Sequence, residues 1–70
     1  MPAKLLDTVA LLEGLPSRGL VRGQVGTVVE SLGPDTFEVE FSDDCGRTYA
    51  TAALQSEQFL VLHHEAIAVA

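Results

Sequence analysis

Basic side chains are scarce in this chain. Four Lys and Arg stand against ten Asp and Glu, giving a formal net charge of −6. That shortage weighs against nucleic acid as a partner, because non-specific binding depends on Lys and Arg displacing counterions. The same acidity attracts a basic protein and speeds the encounter, although acidic surfaces also simply keep small domains in solution. Cysteine is nearly absent: Cys45 stands alone, so no internal disulfide can form. A lone thiol suits a reducing compartment. No apolar run approaches the ~18 residues of a membrane span. The first residues carry no sustained apolar stretch of the signal-peptide kind, so the expected location is the cytoplasm. With 70 residues the chain makes one domain, and a domain this small hides only about 60% of the surface its unfolded form exposes. Disulfides or metals often support such scaffolds. Neither they nor any other cofactor is expected here.

What is present is a run of short strands. Residues 7–12 alternate, with Val9 and Leu11 on one face and Thr8 and Ala10 on the other. Residues 13–19 are broken by Gly and Pro and form a long loop, with Leu15 and Leu20 folding back onto the body. Gly23 and Gly26 flank Gln24-Val25, where glycine supplies a positive φ or a sharp bend. A second strand follows over residues 25–32, then the turn Gly33-Pro34-Asp35-Thr36. Residues 37–41, Phe-Glu-Val-Glu-Phe, alternate cleanly between core and water. A polar hairpin loop covers residues 42–47, a fourth strand residues 48–53, a short helical turn residues 54–58 with Ser56 as its cap, and a last strand residues 59–62. Helix formers are plentiful over residues 50–62, but turn signals recur every 8–12 residues, as all-β folds require. The expected fold is all-β: a small five-stranded SH3-like barrel with one short helical turn before the last strand. The barrel takes residues 1–62. Residues 63–70 form a tail that adds an edge strand or stays disordered.

Few residues suggest chemistry. His63 and His64 are adjacent, so on a strand they face opposite ways and cannot easily hold one ion. The remaining ligands of a zinc site are missing. Cys45 lies beside Asp43 and Asp44, and negative neighbours make a thiol less reactive. Glu38 and Glu40 share a strand face, but a carboxylate pair that cleaves sugars needs a cleft between its members. The expected role is a solvated outer face. No phosphate-cradling or dinucleotide motif follows the glycines. The chain is therefore not expected to be an enzyme.

The order Asp7-x-Val9-x-Leu11, Leu15-Pro16, then Gly19-Leu20-x-x-Gly23-x-x-Gly26-Thr27-Val28-Val29-Glu30 resembles a family of small bacterial proteins known as domain of unknown function 4926. The later blocks agree: Phe37-Glu38-Val39-Glu40-Phe41, Gly46-x-Thr48-Tyr49-Ala50 and Leu54-x-x-x-Gln58-Phe59. The chain departs from the pattern at Gln55, where proline is expected, and in its longer tail. The resemblance implies a compact five-stranded SH3-like barrel with no assigned catalytic residues. It also implies genetic neighbours of toxin-like or nuclease-like type, and with them an antitoxin or immunity-type binding role. More distantly, Gly23-x-x-Gly26-x-Val28 is similar to the glycine signature of KOW-type barrels, which hold RNA with basic loops.

The expected core is Val9, Leu11, Leu20, Val25, Val28, Phe37, Val39, Phe41, Leu54 and Leu60. The expected function is a non-catalytic protein-interaction module that docks a basic partner through Glu38, Glu40, Asp43, Asp44 and Tyr49. The alternative is a nucleic-acid module that uses Arg18 and Arg22 beside the glycine loop. An open sheet edge, or the tail, could also pair two copies into a homodimer.

Overall fold

A computed structural model describes residues 3–64. The chain is all-β. It forms β1 (Thr8–Leu11), β2 (Val25–Ser31), β3 (Thr36–Ser42), β4 (Thr48–Gln55) and β5 (Phe59–Val61), with single 3-10 turns at Pro16–Arg18 and Ser56–Gln58. The strands make one antiparallel sheet in the order β4-β3-β2-β1-β5. The expected tail, residues 63–70, as an added edge strand or a disordered segment, lies outside the described residues from residue 65 on; His63 and His64 are described and belong to no strand.

Alternation decides which side chains enter the core. On β3, Phe37, Val39 and Phe41 are buried, while Glu38 and Glu40 lie half-buried on the opposite face. Val9 and Leu11 of β1, Leu20 of the first loop, Val28 of β2, Ala52 and Leu54 of β4, and Phe59 of β5 join them. The ring of Phe37 meets the ring of Phe59 edge to face, with centroids 6.0 Å apart and planes at 80°. In a flat sheet those strands, three intervals apart, would be separated by roughly 14 Å. The sheet therefore curls until its inner face meets itself. Irregularities in register between Val28 and Glu30 and between Phe41 and Ser42 supply local bends. Among the described residues no rung joins β4 to β5, because the chain passes straight from one to the other through a single turn and β5 pairs with β1.

Register corrects two members of the expected core. Val25 and Leu60 are exposed, at 48% and 54%. Both lie opposite Ala10 across the ladder, and Ala10 faces outward because Val9 and Leu11 face inward. Phe59 and Gly26 take the inward places, opposite Leu11 and Val9. The final helical turn is also shorter than expected. Leu54 and Gln55 stay in β4, where Leu54 is buried opposite Phe37. The Gln55 N–H donates to Gln58 Oε1 at 2.8 Å, so the turn is closed by glutamines. Ser56 does not cap it; its hydroxyl donates instead to the Asp35 carboxylate.

The long first loop is anchored at both ends. Leu15 and Leu20 exchange main-chain hydrogen bonds of 2.8 and 3.1 Å, and Gly19 ends the enclosed turn in the left-handed region at φ 69°. Gly23 likewise has φ 90°, as expected for a turn. Gly26 does not. It sits within β2 facing inward, where an added Cβ would lie 2.7 Å from Val39 Cγ1 and 3.0 Å from both Glu40 O and Phe41 Cδ2. Space, not backbone angle, requires glycine there.

Candidate functional site

The outer face of the β2–β3 hairpin is built around three glutamates. The turn between these strands pairs Leu32 with Thr36 through a 2.8 Å bond. Continuing that register sets Glu30 directly opposite Glu38. Glu40 follows on the same face of β3, between Thr27 of β2 and Thr51 of β4. Among the described residues no cation pairs with these carboxylates. Among the described residues the one ion pair is Lys4–Asp7 at 2.9 Å, just before β1. There the Lys4 ammonium and main-chain N–H both donate to Asp7 and hold its carboxyl below the usual carboxylate range.

Like charges directly across an antiparallel pair destabilise it. Glu30→Lys would convert the Glu30–Glu38 contact into an attractive one, so the variant should be more stable by about 0.2–1 kcal/mol. Thermal unfolding of the two proteins side by side checks this, and an unchanged or lower midpoint contradicts it.

The other expected binding residues separate from this face. Asp43 begins the β3–β4 turn, and its Oδ1 accepts the N–H groups of Cys45 and Arg47, both at 2.9 Å. Its carboxylate shapes the hairpin. Asp44 and Cys45 are exposed at the tip. Tyr49 is 50% exposed, but its hydroxyl accepts a 3.0 Å bond from Gln24 Nε2. Gln24 Oε1 in turn accepts the Val21 N–H at 2.6 Å. Tyr49 thus braces the first loop against the start of β4.

The basic alternative is divided too. Arg18 Nη1 donates to the Thr51 main-chain oxygen at 2.9 Å, which pins the first loop to β4. Arg22 is exposed on the same loop. Among the described residues no three His, Cys, Asp or Glu side chains gather to hold a metal ion, and no helix is long and apolar enough to cross a membrane.

Glu30 is the member of the acidic face that motif reading missed. The signal was present. With Pro34 at the centre of a tight turn, Glu30 and Glu38 lie equally far before and after it, so a regular hairpin sets them opposite each other.

Residues 5–61 match the family model of a domain of unknown function (DUF4926). The chain belongs to that family. The match spans β1 to β5, so the DUF4926 domain and the curled sheet are the same unit. No curated protein matches the chain, and no solved structure does. The DUF4926 description assigns no activity to the acidic face or to any other part of the sheet.

Proposed function

We propose that this DUF4926 domain is a non-catalytic interaction module that docks a basic protein through the outer face of β2 and β3. One observation carries the reading. Glu30 faces Glu38, with Glu40 beside them, and this arrangement costs the fold stability. A cationic partner turns that cost into attraction. Glu38 and Glu40 lie at the centre of the docking face, and Asp44 at the hairpin tip extends the negative field. An antitoxin or immunity role, in which a small acidic protein covers a basic toxin-like neighbour, is one form of such docking. The lone exposed thiol of Cys45 is consistent with a cytoplasmic setting. Nucleic acid is the weaker reading, because Arg18 is already engaged on β4 and the remaining surface is largely acidic.

The test begins with the partner captured by the tagged full chain from its own cells. Association is then followed by stopped flow at rising salt. The rate should fall steeply with ionic strength, and the double reversal Glu38→Lys with Glu40→Lys should slow it by ~10-fold or more at low salt. Rates indifferent to salt and to the reversal would sink the proposal. Retardation of RNA or DNA at micromolar protein would favour the nucleic-acid reading instead.

A further inference from the structure

The two edges of the sheet are treated differently. On the β4 edge, Arg18 donates to the Thr51 main-chain oxygen, and Gln24 ties down the Tyr49 side chain. Nothing among the described residues covers β5. The Leu12 N–H donates to Gln58 O at 2.9 Å, and the Leu62 N–H donates to Thr8 O at 2.8 Å. In an antiparallel ladder the bonded pairs alternate. The bonded pairs between β1 and β5 are therefore Leu12 with Gln58, Ala10 with Leu60 and Thr8 with Leu62. It follows that the main-chain N–H and C=O groups of Phe59 and Val61 point away from β1, along the open edge.

Charge narrows what can lie there. Residues 59–62, Phe-Leu-Val-Leu, carry no charged side chain, and neither do residues 8–12 of the neighbouring strand. On the outer face Val25, Ala10 and Leu60 form one uncharged row across β2, β1 and β5. A basic partner finds no counter-charge in this row. A second copy of a chain with net charge −6 meets less repulsion here than at the glutamates of β3.

The edge also matches itself. Place a two-fold axis at Leu60, and Phe59 of one copy falls opposite Val61 of the other. Both residues point their main-chain groups outward, so each pair exchanges two hydrogen bonds, four in total. Leu60 then faces Leu60 as a non-bonded pair, where side chains approach most closely. We infer that β5 is a self-association edge, through which two copies join their sheets into one continuous antiparallel sheet centred on Leu60. The contact is short, well below the ~1,600 Å² of stable complexes, so the dimer is weak and fills only at high concentration.

Sedimentation equilibrium of the full chain tests this from about 10 µM to about 1 mM, the range in which so small a contact would act. The mass should rise from the 7.4 kDa of one chain toward twice that value. Leu60→Lys and Leu60→Glu should each stay at monomer mass, since like charges would then face each other across the axis. An equimolar mixture of the two variants should recover the dimer. Leu60 is exposed, so circular dichroism and the unfolding midpoint should stay close to the parent's and separate loss of association from loss of fold. A parent that remains monomeric throughout would overturn the inference. So would variants that dimerise as the parent does, a mixture that fails to restore the dimer, or a dimer that forms only once residues 65–70 are removed.

Discussion

Gly26→Ala should lower stability by about 2–3 kcal/mol, the upper part of the range for overfilling a packed core. For a domain this small that corresponds to a drop of roughly 10–20 °C in the unfolding midpoint. The glycine lies inward on β2, opposite Val9. A methyl group there would sit 2.7 Å from Val39 Cγ1 and 3.0 Å from the Glu40 main-chain oxygen. The valine can shift a little, but the carbonyl belongs to the sheet and cannot. Gly23 makes the control. It has φ 90° with open space around the missing Cβ, so its constraint is conformational. Asparagine tolerates the left-handed region better than alanine does. Asn should therefore be milder than Ala at position 23 and harsher than Ala at position 26. Thermal or denaturant unfolding of the four variants decides the matter, and a harmless Gly26→Ala would mean that β2 and β3 are farther apart than described.

Phe41→Ala should cost about 3–5 kcal/mol, as deletion of a fully buried aromatic ring does. Phe41 is 0% exposed and among the largest fully buried side chains. A domain of this length has only roughly 4–10 kcal/mol in all, at ~0.05–0.15 kcal/mol per residue. The variant should therefore be largely unfolded near its parent's midpoint and far more sensitive to urea at room temperature. The two sites are also coupled. The ring edge of Phe41 occupies the space that Gly26 leaves open, with Cδ2 3.0 Å from where a methyl would be. Adding Phe41→Leu to Gly26→Ala should recover part of the lost stability, so the double variant should be less damaged than the sum of the two singles. Strict additivity would separate the two residues. Recovery can only be partial, because the Glu40 carbonyl remains in place.

These core positions were legible to different degrees. Phe37, Val39 and Phe41 alternate with acids, and no other phase of the strand puts charge in water. Val25 and Leu60 were not legible in the same way. Leu60 stands in the unbroken apolar run Phe59-Leu60-Val61-Leu62, and Val25 in a strand whose adjacent valines, Val28-Val29, break the alternation. Periodicity alone fits either face of such a run. Pairing decides it, through Ala10 on the strand between them. Glycine at position 26 was legible as a special residue, but its reason was not, since the crowding comes from β3 across the ladder. The same holds for the surface. Glu38 and Glu40 follow from alternation, whereas the employment of Tyr49 against Gln24 and of Arg18 on Thr51 depends on contacts between distant segments.

The placement of β1 between β2 and β5 has a consequence for how the molecule is made. The β2–β3 and β3–β4 hairpins join neighbours in the chain and can form early, at little loop-closure cost. The rung between Val9 and Val61 joins the first strand of the sheet to the last. On the ribosome the first strand must therefore wait, with one flank bare, until the last strand has emerged. Assembly of the core is tied to the emergence of β5, and a nascent chain halted before Phe59 holds only an incomplete interior.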